Sequence, residues 1–363
     1  MKLNYKRTFF VGLAFLSISA FWQMYDNIIP LILQNTFRLN ESVIGAIMAL
    51  DNVLAVFLLP LIGTLSDKVD TPLGKRTPFI VGGTIAAVVL MLLLPYADHT
   101  QTLWLFVAAL GLTLIAMAMY RSPAVALMPD LTPKPLRSSA NAIINLMGAV
   151  GGVYSLLLIR VLVKAEERPS YLPVFLGVAA MMLAAVAILL ITIREKKLAA
   201  KIAEEYPDEE EEILTTETGE LAPEVKRSLT LILASIFLWY TAYNAVTTAF
   251  SRYAITVWKM VGGGFADCLM VATVAAILSY IPSGALATRV GRKRTILIGI
   301  VCMFISYSAV FFYPTYHASA LVFFVLIGMG WAAINVNSLP MVVEMSRGSE
   351  IGKYTIHTPV PKA

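Results

Sequence analysis

Gly63-Thr64-Leu65-Ser66-Asp67-Lys68-Val69-Asp70-Thr71-Pro72-Leu73-Gly74-Lys75-Arg76 stands between two long apolar segments, and Gly284-Ala285-Leu286-Ala287-Thr288-Arg289-Val290-Gly291-Arg292-Lys293-Arg294 stands between two more. Each stretch opens on glycine, runs through hydrophilic residues and closes on Gly-basic-basic. Two such copies in equivalent settings mark a duplicated helical bundle.

The segments around the loops set the solvent. Of 363 residues, 58% are hydrophobic and 14% charged, with a mean hydropathy of +0.75, against about 25% charged residues in soluble domains. Crossing a bilayer takes about 20 largely apolar residues in a helix. Stretches near 8–33, 42–63, 78–96, 102–127, 139–163, 171–193, 229–250, 264–286, 295–313 and 319–341 qualify. Only helices satisfy their own backbone in lipid at this spacing, so the predicted fold is an all-α membrane protein with ten transmembrane helices. The run from Thr8 to Leu33 is too long for a signal-peptide core and lacks a small-residue cleavage site, so it reads as the first span.

Assigning the loops to alternate sides puts only Arg38, Lys164, Arg168, Arg252 and Lys259 opposite the amino terminus, and the remaining basic residues outside the spans on its own side. That bias predicts a cytoplasmic amino terminus. The same scatter over short loops argues against a nucleic-acid surface. Cys268 and Cys302 fall in apolar segments and read as small buried hydrophobes, and His99, His317 and His357 form no ligand cluster. There is no phosphate-binding glycine loop, zinc spacing or nucleophile elbow, so neither an enzyme nor a cofactor is expected.

Residues 194–228 break the apolar pattern and include the acidic run Asp208 to Glu212. The expected organisation is a six-helix bundle over 1–193, a solvated cytoplasmic linker over 194–228, and an incomplete four-helix bundle with a polar tail over 229–363. The repeat extends beyond the loops. Trp22 and Asn27 recur as Trp239 and Asn244 at the spacing that separates Gly74 from Gly291, and Arg121 to Asp130 is echoed at equal spacing by Asn335 to Glu344.

An ionisable group in mid-membrane costs about 2.5–3.5 kcal/mol on translocon scales, so it calls for a partner or a function. Asp26, Asp51 and Arg121 are such groups. A low dielectric favours a neutral carboxyl and a nearby cation favours the carboxylate; the three residues are therefore the expected proton-coupling set. The alternative is a structural Asp–Arg or Asp–amide clasp. Around Asp26, the face bearing Trp22, Gln23 and Asn27 offers a ring for C–H surface and amides for hydroxyls. With Asn145 and the repeat's Trp239, Tyr240, Tyr243 and Asn244, these form the expected substrate-binding set. Arg160 lies near a span end and can snorkel to water. Gly148, Gly151 and Gly152 permit close helix approach.

A duplicated bundle with this loop after its second and eighth spans resembles the major facilitator superfamily over essentially the whole chain. Three stretches are more specifically similar to the sucrose and glycoside-pentoside-hexuronide cation symporters: Pro60 to Gly63 with Ser66-Asp67 through Gly74 to Ile80; Pro123 with Ala126-Leu127 and Asp130-Leu131; and Ala140-Asn141-Ala142 with Ala149-Val150-Gly151. The resemblance implies a monomeric two-bundle transporter in the plasma membrane, importing a disaccharide or glycoside with protons by alternating access. Its implied partners are a small-molecule substrate and the lipid bilayer. It also implies a cytoplasmic gate of Asp67, Lys75, Arg76, Asp130, Arg137, Arg289, Arg292, Glu344 and Arg347. The acidic pair that melibiose-type carriers place before the second-span proline falls on Ala55 and Leu59, so no sodium site of that type is expected. The family has twelve spans, two more than are read here, and the eleventh is the implied partner of Asp67. Two alternatives follow: a drug or metabolite/proton antiporter of the same fold, and a truncated chain that does not transport. The Gly-Pro pair of the antiporters' fifth span is lacking.

Overall fold

A computed structural model describes residues 3–133, 136–166, 168–205 and 223–338. Local chemistry places the helix starts. Helix α1 (Tyr5–Asn35) begins where the Asn4 side chain accepts from the Arg7 amide at 3.0 Å, and α2 (Glu41–Met48) where Asn40 accepts from the Val43 amide at 2.9 Å. Only Ala49 separates α2 from α3 (Leu50–Lys68), and the pair forms one span. Helices α4 (Thr77–His99) and α7 (Leu172–Thr192) carry proline in the first turn, where its missing N–H costs nothing. Between them lie α5 (Leu103–Asp130) and α6 (Arg137–Leu162); a short α8 (Glu195–Glu205) follows, then α9 (Pro223–Thr256), α10 (Phe265–Val290), α11 (Arg292–Phe311) and α12 (Ala318–Ser338). Among the described residues, 10 helices are long and apolar enough to cross a membrane, as expected.

The two signature stretches are more helical than their composition suggests. Helix α3 continues to Lys68, leaving 69–76 as the loop, and in the second copy Gly291 alone separates α10 from α11. Both Gly74 and Gly291 have positive φ, at 121° and 88°, a region that favours glycine. The expected linker also opens differently: residues 195–205 form α8, and residues 206–222 lie outside the described residues.

The described residues group into two units, 3–205 with Thr248–Met270, and 223–247 with 271–338. Helices α9 and α10 each contribute to both. In the first unit α1 packs on α6 and α7, α4 on α5 and α7, and α3 on α5. Close backbone approach at glycine sets these contacts: a Cβ on Gly151 of α6 would collide with the Leu16 carbonyl of α1, and one on Gly83 of α4 would lie 2.8 Å from the Tyr120 amide nitrogen of α5. The Tyr120 hydroxyl donates to the Ala14 carbonyl at 3.0 Å and shares a 2.5 Å hydrogen bond with Ser17, tying α5 to α1. Val53, Val56, Phe57 and Leu61 of α3 are exposed, as lipid-facing residues should be. At the end opposite the 69–76 loop, Arg252 pairs with Glu41, Arg160 Nε contacts Asp267 at 2.8 Å, and Gly263 donates its amide to the Val163 carbonyl at 3.2 Å.

The second unit repeats parts of this packing. A Cβ on Gly63 would lie 3.3 Å from Ser122 Oγ, and one on Gly284 would lie 4.0 Å from Val336 Cγ1. Ser122 follows Arg121 as Val336 follows Asn335, so the correspondence between α5 and α12 holds in space as well as in sequence. Gly299 and Gly330 similarly let α11 and α12 approach backbone to backbone.

Gly151→Val should destabilise the first unit by about 1–3 kcal/mol, the usual cost of overpacking, and lower the melting temperature in detergent. Gly111→Ala, where an added Cβ meets nothing within 4 Å, should leave it unchanged.

Candidate functional site

In the first unit the site is built on α1. Trp22, Asp26 and Tyr25 lie within little more than a helical turn, and Trp22 meets Tyr25 edge to face with centroids 5.3 Å apart. The Arg121 guanidinium of α5 sits 5.7 Å from the centroid of the Trp22 ring, a cation–π contact worth about 0.5–2 kcal/mol. Asp26 and Asp51 are half-buried and close enough to interact electrostatically, as are Asp51 and Arg121. Neither carboxylate forms an ion pair with Arg121 among the described residues, so the structural clasp is not made there; Asp51 instead accepts from its neighbour Asn52 at 2.8 Å. Asn27 donates to the Gln23 carbonyl at 2.9 Å, while its Oδ1, the Trp22 indole N–H and the Tyr25 hydroxyl are buried without a hydrogen-bond partner among the described residues. Each such orphan costs about 1–3 kcal/mol. The Gln23 amide oxygen faces Gly152 of α6, and Asn145 is exposed on the same helix, seven residues earlier.

In the second unit, α9 presents the repeat of this site. Asn244 donates to the Tyr240 carbonyl at 3.0 Å, the counterpart of the Asn27–Gln23 bond. The Trp239 indole N–H is also buried without a partner among the described residues, and its ring stacks on Tyr243 at 5.8 Å. Trp331 of α12 lies 6.3 Å from the Tyr243 ring and 6.0 Å from Tyr280 of α10, so three helices supply one aromatic cluster. Tyr240 is 52% exposed and 6.0 Å from Trp239.

The expected gate centres on Arg76. Its guanidinium is paired with Asp67 of α3, donates from Nε to Asp130 of α5 at 2.8 Å and from Nη1 to Ser66 at 2.5 Å. Burial disfavours this charge, but the Asp130 and Asp67 carboxylates outweigh it and raise the arginine's pKa. Beneath it, the buried Glu195 carboxylate accepts from the amides of Lys75 at 2.8 Å, Arg76 at 2.9 Å and Thr77 at 2.8 Å, and from the Thr77 hydroxyl at 2.6 Å. It thereby caps α4 and places a negative charge at a helix amino terminus. A Cβ on Gly74 would overlap the Glu195 carboxyl group, so that glycine is needed for space as well as for φ. The Lys75 and Arg289 side chains are exposed, Arg292 is half-buried, and Arg137 opens α6. Glu344 and Arg347 lie outside the described residues. No group of His, Cys, Asp and Glu among the described residues is arranged to hold a metal ion.

The profile of the Major Facilitator Superfamily matches residues 11–356. The chain belongs to this superfamily. Its fold is similar to a mutant of the nucleoside transporter NupG, with 14% identity, a TM-score of 0.66 and coverage of 94% of this chain and 86% of that one. It is also similar to the xylose transporter XylE from E. coli in a partially occluded inward open conformation (14% identity, TM-score 0.62, 94% and 87% covered) and to a bacterial homologue of the iron transporter ferroportin (14%, 0.63, 97% and 88%). No curated protein matches the chain. As a major facilitator protein with ten apolar helices among its described residues, it is a multi-pass membrane transporter of a small molecule.

Sequence reasoning missed four participants. Tyr25 was visible only as one more aromatic residue, and Trp331 and Tyr280 come from helices far from α9 in the chain. Glu195 was hidden in a segment read as a solvated linker; an acid at the first position of a new helix after a span was its only signal. Glu195→Ala should leave three amides and a hydroxyl without their acceptor and cost about 0.5–2 kcal/mol. Hydrogen exchange at Lys75, Arg76 and Thr77 should speed up first.

Proposed function

We propose that this major facilitator protein is a proton-coupled sugar symporter of the plasma membrane, with its amino terminus and the 69–76 loop in the cytoplasm. The observation that carries the reading is the set of buried, unpartnered polar groups beside aromatic rings on α1: the Trp22 indole, the Tyr25 hydroxyl and the Asn27 carbonyl oxygen. A sugar supplies what that surface lacks, C–H faces for the rings and hydroxyls that both donate and accept. Xylose and nucleosides, named as cargo for two proteins of the same fold, present the same mixture of ring and hydroxyl; at 14% identity that likeness speaks for the fold alone.

Asp26 and Asp51 supply the coupling. Two carboxylates near enough to repel each other in a low-dielectric interior, with the nearby Arg121 engaged on Trp22, give proton uptake by one of them a driving force. Protonation weakens the pull of Asp51 on Arg121 and frees the cation to strengthen its contact with the tryptophan that meets the sugar. Loading and release then follow the switch between inward and outward states.

Labelled sucrose or maltose should exchange in counterflow with this chain in vesicles, and Asp26→Asn and Asp51→Asn should abolish sugar-driven proton uptake. Dye efflux without sugar counterflow would establish the antiporter reading instead, and full proton coupling in both mutants would remove the carboxylates from the mechanism.

The pairs Arg252–Glu41 and Arg160–Asp267 close the end of the first unit opposite Arg76 and must part for that end to open. Arg252→Glu should therefore shift the transporter toward a state open at that end, read as faster labelling of a cysteine introduced there. The charge-swapped double variant Glu41→Arg/Arg252→Glu should restore the original rate.

A further inference from the structure

A cavity of ≈ 410 Å³ lies where the start of α1, the turn before α6, the end of α7 and the helix α8 meet. It takes no part in the transport site. Among the described residues, Lys6, Arg7 and Lys201 line it and no carboxylate does, and none of the three cations forms an ion pair with a described side chain. Its remaining wall is largely aliphatic and aromatic, with Phe10, Leu136, Ile193 and Ile202.

The cavity is built from rigid parts. Asn4 caps α1 beside Lys6 and Arg7. Glu195, anchored on the 75–77 amides, fixes the first turn of α8, and Lys196 holds Asp70 at 2.9 Å. These contacts set the direction of α8 and bring Leu198, Lys201 and Ile202, one helical face, onto the cavity.

We propose that this cavity binds the headgroup and glycerol region of an anionic phospholipid. Three cations without an ion-pair partner among the described residues line a space that no described carboxylate enters, which selects a phosphate ester. The apolar wall and the position at the ends of two membrane spans select a phosphate that carries acyl chains over a free anion. Basic pockets between membrane helices recognise lipid headgroups by this combination. The site lies at the end of the first unit that carries the Arg76 junction, and α8 belongs to both. A bound lipid therefore braces α8 against α1 and α7.

The test uses the full-length purified protein in detergent, titrated with short-chain phosphatidylglycerol, short-chain phosphatidylcholine or inorganic phosphate, with thermal stability and native mass spectrometry as readouts. Phosphatidylglycerol should raise the melting temperature and remain bound in the gas phase. The triple variant Lys6→Gln/Arg7→Gln/Lys201→Gln should bind it on the order of 100-fold more weakly, as the loss of three basic contacts with an anionic headgroup requires. Removing as many charges elsewhere, in Lys197→Gln/Arg227→Gln/Arg294→Gln, should leave binding within about twofold, well inside one decade of affinity. Lys6→Arg/Lys201→Arg, which keeps the charge, should bind as the parent does and guards against a folding defect in the triple variant. Equal stabilisation by phosphatidylcholine, full competition by inorganic phosphate, or equal loss in the two triple variants would each overturn the proposal.

Discussion

Helices in hydrocarbon gain little from burying apolar surface on one another, because lipid is as apolar as leucine. What holds this protein's first unit together must therefore be close backbone approach and a few polar clamps, and both are concentrated on α1 and on Arg76. Gly151 lets α6 reach the α1 backbone, Gly83 lets α4 reach α5, and the Tyr120–Ser17–Ala14 bonds join α5 to α1. Arg76 then gathers α3 and α5 at one end through Asp67 and Asp130. A buried guanidinium is costly without carboxylates to compensate it, and Arg76 takes one from each of these helices, so the position of α3 relative to α5 rests on that junction.

The Arg76 junction and the Trp22 site share the same helices. Arg121 on α5 reaches Trp22, and Asp51 lies on α3, so any movement of α3 against α5 changes the distance between that carboxylate and the cation. The Ser122 hydroxyl, next to Arg121, donates to the Leu59 carbonyl at 2.9 Å and fixes that spacing in the state described. The ion-pair junction at one end and the charged groups beside Trp22 are thus parts of one mechanical unit.

The duplication explains both the symmetry and its limits. Trp239, Asn244 and Gly291 reproduce the local conformations of Trp22, Asn27 and Gly74 down to the side-chain bond to the preceding turn and the positive φ. The charges are not reproduced: Tyr243 replaces Asp26, Asn335 replaces Arg121, and among the described residues Gly291 has no acid against it where Gly74 has Glu195. The second unit offers aromatic surface and amides, with Trp331 and Tyr280 added, whereas the first holds the titratable groups.

The superfamily, the helix count and the internal repeat were legible in the sequence because they depend on local and periodic properties: about 20 apolar residues per span, glycine where φ is positive, and a recurring motif. The pairing of Asp67 and Asp130 on Arg76, the seat of Arg121 on Trp22 rather than on a carboxylate, and the capping of α4 by Glu195 were not legible. Each joins residues on different helices, and which faces meet is set by where glycine lets backbones close together. A single sequence lists those glycines; only the packed bundle decides what each of them lets in.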